Sequence, residues 1–169
     1  AATASAGPDQ NVDEGANVTL DGSASTGAVT YAWTQVSGPA VVLSDQAAVQ
    51  PFFVAPACGA EGAVLVFQLT AAGDDGLEAT DTVTVNVAEN GIADFPAGVV
   101  SGVSSTGQPV GIEMTSGGGL IQWEAVDPTD LPGVPESMPY GLLSFRVRTD
   151  VVGGTVPVTI HLPAPAPEG

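Results

Sequence analysis

The sequence predicts an all-β protein organised as two tandem β-sandwich modules, because three observations agree. Hydrophobic residues make up 44% of the 169-residue chain and are mostly Val and Ala, with 22 glycines and 14 prolines among them and many threonines. This mixture favours short strands and turns. Apolar and polar residues alternate over residues 82–87, and no window shows the long period of an amphipathic helix.

Charge and cysteine content narrow the function classes. The chain carries 19 acidic residues against two arginines, giving a formal net charge of -17. Such a chain repels phosphate backbones and anionic membrane surfaces, so nucleic acid and membranes are not expected as partners. No stretch approaches the roughly 18 apolar residues of a membrane span, so no membrane insertion is expected either. Cys58 stands alone, and with His161 as the only histidine we expect a small packing residue rather than a nucleophile.

Residues 31–35 are the predicted central strand of the first half. In an extended strand Tyr31, Trp33 and Gln35 share one face. Trp33 is one of two tryptophans, and its ring can bury on the order of 200 Å². We therefore expect Trp33 to be the nucleus of a small core; the alternative is an exposed binding tryptophan.

The other strands of the first half follow from apolar runs between turn signals. Residues 64–70 and 82–87 are predicted strands. A hairpin connection at residues 73–76 joins them, and residues 77–81 complete the predicted loop. In residues 82–87 the three valines should face inward. Residues 51–56 are bracketed by prolines, which indicates an edge or a crossing rather than a central strand.

Separated motifs of the first half resemble the bacterial PKD-like domain. They are, in order, Ala6-Gly7-Pro8-Asp9-Gln10, Glu14-Gly15, Val18-Thr19-Leu20-Asp21-Gly22-Ser23, Tyr31-Ala32-Trp33, Phe53-Val54-Ala55-Pro56, Phe67-Gln68-Leu69-Thr70 and Asp81-Thr82-Val83-Thr84-Val85. The resemblance covers roughly residues 3–88 and implies an immunoglobulin-like sandwich of the kind found in adhesins and secreted hydrolases. Residues 71–76 depart from the family, which usually has a Val-Thr-Asp run there.

Polar residues and a glycine interrupt the strand pattern at residues 89–94, so we place the module boundary there: residues 1–88 and 89–169. The second half has a triple glycine at residues 117–119, predicted to be a flexible hairpin tip, and a Pro- and Asp-rich loop at residues 127–139. Its predicted strands are residues 110–114, 120–126, 142–148 and 155–162.

The second half resembles the choice-of-anchor U domain of bacterial surface and secreted proteins. The matching motifs are Asn90-Gly91-Ile92, Thr106-Gly107-Gln108-Pro109-Val110-Gly111, Ala125-Val126-Asp127-Pro128, Pro139-Tyr140-Gly141-Leu142, Phe145-Arg146-Val147 and the Leu-Pro-Ala-Pro-Ala-Pro run from Leu162. Family members continue beyond that run with further strands. The resemblance therefore implies either an incomplete module, completed by a strand from another segment or a neighbouring subunit, or a shorter module with a free tail.

Acidic residues cluster in the predicted hairpin of the first half. Asp74, Asp75, Glu78 and Asp81 offer oxygens suited to Ca²⁺. Their spacing matches no regular calcium loop, and a solvated acidic hairpin explains them equally well. No metal or cofactor residue is assigned, and Ca²⁺ is kept as an alternative.

Carboxylate pairs in the second half do not indicate an enzyme. Glu124 with Asp127, or Asp127 with Asp130, has the residue type of a glycosidase pair. In a chain this acidic such pairs arise by chance, and no other catalytic signature accompanies them. We assign no catalytic residue.

Three residues are the predicted contact residues. Trp123 lies near the triple glycine, where exposure for binding and packing in a core are both open. Arg146 and Arg148 share a strand face and are the only cationic side chains apart from the histidine. They can pair with carboxylates of the same chain or capture an acidic neighbouring subunit. His161, between Ile160 and Leu162, is predicted to face solvent.

The expected function is that of a non-catalytic extracellular module pair in a bacterial surface or secreted protein. It would serve as a structural or adhesive segment, with other protein subunits or an extracellular polymer as partners. Strand complementation between neighbouring subunits would build a homo-oligomeric filament. The alternative is a polysaccharide-binding accessory region of a secreted hydrolase.

Overall fold

The computed structural model describes residues 1–92, 95, 99–127 and 141–162. Within them the chain forms eleven β-strands and no helix, so no described helix is long and apolar enough to cross a membrane. The strands are β1 (Gln10–Asp13), β2 (Asn17–Thr19), β3 (Thr30–Ser37), β4 (Phe52–Val54), β5 (Ala63–Ala72), β6 (Glu78–Ala88), β7 (Val100–Val103), β8 (Pro109–Met114), β9 (Gly118–Val126), β10 (Leu142–Thr149) and β11 (Val158–His161). The predicted all-β fold class is confirmed.

The first six strands form two sheets around one core. One sheet has the strand order β1-β6-β5-β3, in which β1 runs parallel to β6 and the other neighbours are antiparallel. The second sheet pairs β2 with β4. Phe53 of β4 and Phe67 of β5 bring their ring centroids to 5.1 Å, so the sheets meet through aromatic side chains. All members of this core cluster come from residues 6–87.

Trp33 lies in this core, as its strand pattern predicts. Its side chain is only 1% exposed, and its indole N–H donates a hydrogen bond to the Ala48 carbonyl at 3.1 Å. That bond satisfies the one polar atom of the ring and removes the usual cost of burying it. The exposed-binding alternative for Trp33 is therefore wrong.

The predicted hairpin forms, but its loop is shorter than predicted. Residues 78–81 belong to β6, because their backbone pairs with residues 69–72 of β5. β5 and β6 pair in register from Ala63↔Val87 to Ala72↔Glu78, and Val83, Val85 and Val87 are buried. The proline-bracketed strand is β4, which has β2 as its only partner strand among the described residues.

The last five strands form a three-stranded sheet of order β11-β8-β7 and a two-stranded ribbon of β9 and β10. Among the described residues no sheet joins strands from both sides of residue 89. The three-stranded sheet buries Val110 and Ile112, with Val99 beside them. In the β9–β10 ribbon, β9 instead lies alongside β4 and β2 of the first half.

Two predictions for the second half need correction. Gly118 and Gly119 are not a free hairpin tip, because both belong to β9; only Gly117, with a φ of 82°, has the left-handed backbone of a turn. A Cβ on Gly119 would overlap the Val42 side chain, so close packing explains this glycine. The last described strand covers residues 158–161 rather than 155–162. The predicted loop, apart from Asp127, and the proline-rich tail lie outside the described residues.

His161 does not face solvent as predicted. It is half-buried, its Nε2 lies 2.8 Å from Glu113 Oε2, and its ring meets Phe95 edge-on at 6.2 Å. Thr159 pairs directly with Glu113, so His161, two residues farther along β11, shares the face of that carboxylate. Its sequence neighbours Ile160 and Leu162 are 37% and 49% exposed.

Replacement of Trp33 tests the core. We expect Trp33→Ala to lower the free energy of unfolding by about 3–5 kcal/mol, because it opens a large cavity between the two sheets. Urea denaturation followed by circular dichroism measures the change. The control is Val36→Ala on the same strand, whose side chain is 59% exposed and should change stability by no more than about 0.5 kcal/mol. Equal losses in the two variants would contradict the assignment.

Candidate functional site

The contact between the two halves of the chain is built around a buried carboxylate. Among the described residues Glu14 is the only buried charged side chain, 7% exposed. Its Oε1 accepts a hydrogen bond from the Ser101 hydroxyl at 2.6 Å, and its Oε2 accepts one from the Cys58 backbone N–H at 2.8 Å. A carboxylate is costly to bury unless hydrogen bonds replace its water. The Cys58 N–H belongs to the first half of the chain and the Ser101 hydroxyl to the second half.

Asn90 ties the connecting segment into the same network. Its Nδ2 lies within hydrogen-bonding distance of the Ser101 hydroxyl at 3.0 Å, the Ser101 carbonyl at 3.2 Å and the Glu14 carbonyl at 3.3 Å. Its Oδ1 accepts from the Ile92 N–H at 2.9 Å. One amide therefore contacts both halves. Gly15 allows this approach, because its φ is 76° and a Cβ there would overlap the Ser101 carbonyl.

The side-chain amide of Asn17 binds the backbone of β9 in the β9–β10 ribbon. Its Nδ2 donates to the Trp123 carbonyl at 2.6 Å, and its Oδ1 accepts from the Trp123 N–H at 3.1 Å. A side-chain amide thus takes the place of a neighbouring strand along one residue of β9. We call the contacts made by Glu14, Asn17, Asn90, Ser101 and Trp123 the junction network.

The three predicted contact residues occupy different environments. Trp123 is half-buried: its indole N–H donates to the Gly15 carbonyl, and its ring lies so close to Gly102 that no Cβ would fit there. Arg148 donates from Nη1 to the Leu43 carbonyl at 2.7 Å. Trp123 and Arg148 therefore belong to the contact between the halves, whereas Arg146 does not.

Arg146 lies on a separate polar recess of about 100 Å³ on the β9–β10 ribbon. On this ribbon Ser144 is directly opposite Glu124, and Arg146 is directly opposite Gln122. No ion pair joins either arginine to a carboxylate within the described part of the chain. Within that part of the chain, neither arginine therefore makes the predicted ion pair with a carboxylate of the same chain.

A larger cavity of about 350 Å³ lies between the halves. Its described lining contains no titratable side chain and consists of Pro39, Ala40, Val41, Val42, Val54, Pro56, Ala57, Val100, Ile112, Met114, Gly118, Gly119 and Leu120. These lining residues supply neither an acid, a base nor a nucleophile.

Two of the acidic hairpin residues accept hydrogen bonds from backbone N–H groups. Asp75 Oδ1 accepts from the Leu77 N–H at 3.1 Å, and Asp81 Oδ2 accepts from the Ala6 N–H at 2.8 Å. In the described ranges no three His, Cys, Asp or Glu side chains converge as metal ligands. Of the carboxylates considered as a glycosidase pair, Glu124 lies on the recess with Arg146, and Asp130 lies outside the described residues.

Cys58 is half-buried beside Glu14. Burial raises the pKa of the Cys58 thiol above its ordinary value, and the negative charge of Glu14 raises it further. A raised pKa leaves less thiolate at neutral pH, so the group is a poor nucleophile.

One comparison with known protein families matches the first half. Residues 6–87 match the family described as "K319L-like, PKD domain". The solution structure of the PKD domain from KIAA 1837 protein is 27% identical in sequence and has a TM-score of 0.48. The matched region covers 56% of the present chain and 93% of the KIAA 1837 domain. A nucleoside hydrolase-related hypothetical protein from Saccharophagus degradans, associated with carbohydrate metabolism, is 22% identical, covers 47% of this chain and 22% of that chain, and has a TM-score of 0.38. No curated protein matches the chain.

The predicted PKD-like resemblance is therefore confirmed for residues 6–87. PKD-like domains are in general extracellular structural or adhesive modules and typically lack catalytic activity, and this is the class of function that the match indicates. The resemblance of the second half to the choice-of-anchor U domain stays a prediction.

The environment of Cys58 predicts its reactivity. We expect alkylation of Cys58 to require a higher pH than alkylation of a free cysteine, because the raised pKa delays thiolate formation. Glu14→Gln removes the neighbouring negative charge and should shift the pH midpoint of the reaction downward. The rate of iodoacetamide modification as a function of pH gives that midpoint. The control is Glu61→Gln, an exposed carboxyl three residues from Cys58. A midpoint that Glu14→Gln leaves unmoved would contradict the electrostatic account.

Proposed function

We propose that this chain is a non-catalytic extracellular module pair of a bacterial surface or secreted protein, acting as a stiff structural or adhesive segment. Residues 1–88 form the PKD-like module in this proposal, and residues 89–169 form a second module related to the choice-of-anchor U domain. The match of residues 6–87 to the PKD family supports the class of function. The observation that carries the stiff pairing is the buried Glu14 carboxylate, because its hydrogen-bond donors come from both modules.

The junction network supports stiffness. Adjacent domains move relative to one another by default unless their interface restrains them. Here Asn17 holds the backbone of Trp123 by two hydrogen bonds, and Asn90 contacts both Glu14 and Ser101. These bonds are directional, and several of them end on backbone atoms, so a small rotation between the modules would break them together. A segment of this kind transmits force and keeps a distal part at a fixed distance.

We further propose that neighbouring copies assemble through the outer edge of β10. Both backbone groups of Trp123 bond to Asn17 and therefore point away from β10. In an antiparallel pair the backbone groups of the opposite residue, Phe145, then point away from β9. No described strand covers that edge. A strand donated by the next copy would cover it, and head-to-tail repetition would extend a filament. The positive charge of Arg146 favours an acidic neighbour.

Polysaccharide binding is a second candidate function, in which the pair is an accessory region of a secreted hydrolase. The polar recess that holds Arg146 favours it, because charged and polar side chains face outward there without an ion pair in the described part of the chain.

Calorimetry of Asn17→Ala tests the stiff pair. We expect the wild-type chain to melt in one transition, because the junction network couples the two modules. Asn17→Ala removes two hydrogen bonds across the junction, a loss of about 1–3 kcal/mol, and should separate a second transition at lower temperature. The control is Asn11→Ala, which removes the 3.1 Å hydrogen bond to Asn86 inside the first module. Identical thermograms for the two variants would refute the coupling.

Light scattering tests assembly. We expect the molar mass of the isolated chain to rise with protein concentration, more strongly at high salt, because salt screens the repulsion between copies of charge -17. Phe145→Pro removes an outward N–H from β10 and should hold the chain at monomer mass. A cooperative melt of that variant confirms that it folds. A wild-type chain that stays monomeric at every concentration and salt level would rule out assembly through this edge.

A further inference from the structure

The recess on the β9–β10 ribbon is lined by two polar residues from each strand and by Phe145 of β10. Gln122 and Glu124 lie two residues apart on β9, and Ser144 and Arg146 lie opposite them on β10. Side chains two residues apart share one face of a strand, so all four point to the same side of the ribbon. Together they present a carboxylate, a guanidinium, an amide and a hydroxyl around a space of about 100 Å³.

The two arginines of β10 differ in their contacts. Arg148 is exposed as well, but its guanidinium donates a hydrogen bond from Nη1 to the Leu43 carbonyl at 2.7 Å. Arg146 makes no comparable bond or ion pair within the described part of the chain, and it is exposed. Its N–H donors therefore face the recess and the solvent. Glu124 is likewise exposed and has no ion pair among the described residues.

The chemistry of the recess selects a neutral, hydroxyl-rich ligand. A carboxylate accepts hydrogen bonds, a guanidinium donates them, and an amide and a hydroxyl do both. Neighbouring hydroxyl groups of a sugar ring present the matching mixture of donors and acceptors. An anionic polymer would meet Glu124 and a chain of net charge -17, and a cationic ligand would meet Arg146.

We propose that this recess is a binding subsite for one neutral sugar residue of a polysaccharide, with Arg146 and Glu124 as its main hydrogen-bonding groups. The space of about 100 Å³ admits the edge of one ring rather than a longer segment. The inference deepens the polysaccharide-binding candidate function and does not depend on the stiffness of the junction, because the four side chains lie outside the junction network.

Retention of the full chain on insoluble neutral polysaccharides tests the proposal. The panel is cellulose, chitin, xylan, mannan and β-1,3-glucan, with alginate beads as the anionic comparison. We expect retention on at least one neutral polymer and none on alginate. The bound fraction should change less than about twofold between about 0.05 and about 0.5 M NaCl, because a neutral ligand forms no ion pairs that salt would screen.

Two variants and a matched control assign the retention to the recess. Arg146→Ala should weaken binding about tenfold or more, because hydrogen bonds from a charged group are lost. Glu124→Gln, which keeps the shape of the side chain, should weaken it several-fold. Arg148→Ala removes the same charge from the same strand and should change the affinity less than about twofold. Circular dichroism melts verify that each variant is folded.

Several outcomes would overturn the proposal. They are failure of the wild-type chain to bind any neutral polymer of the panel, equal retention of Arg146→Ala and wild type, and retention on alginate alone. Each of these would leave the stiff module pair standing, since that function is tested separately by the calorimetry of Asn17→Ala.

Discussion

The solvation of one carboxylate constrains how the two halves of this chain meet. Glu14 lies at a turn of the first half, yet it is 93% shielded from solvent, as its 7% exposure shows. A buried carboxylate is tolerated only where donors replace its water. The Cys58 N–H comes from the first half, but the Ser101 hydroxyl comes from β7 of the second half. The position of β7 is therefore coupled to the solvation of Glu14, and Asn90 and Gly15 adapt the surrounding backbone to that position.

The parts of the fold that could be predicted from the sequence are those that depend on short-range patterns. The alternation in residues 82–87 places Val83, Val85 and Val87 in the core, and the glycines and aspartates before them give the hairpin. The burial of Trp33 follows from its strand context in a chain with few aromatic residues. These features need only the period of a strand and the size of a ring, both of which can be read over fewer than ten residues.

The junction network could not be predicted in the same way, because its partners are far apart in the chain. Asn17 contacts Trp123 across 106 positions, and Ser101 contacts Glu14 across 87. Nothing in the residues beside Glu14 or Asn17 indicates a partner so far along the chain. Gly102 and Gly119 carried a weak signal, since a glycine inside a strand often marks the close approach of another group. That signal says that something packs there, but not that it is Trp123 or Val42.

The charges of the molecule show a preference for hydrogen bonds over ion pairs at its contacts. In a chain with 19 acidic side chains, Arg148 bonds to the Leu43 carbonyl, and Glu14 bonds to a hydroxyl and a backbone N–H. Salt screens exposed ion pairs but affects buried hydrogen bonds far less. We therefore expect the hydrogen bonds of the buried Glu14 carboxylate to depend little on ionic strength, while the acidic surface repels other anionic polymers. Both properties suit the extracellular module that we propose, and a neutral polymer is the proposed partner that meets the least electrostatic repulsion.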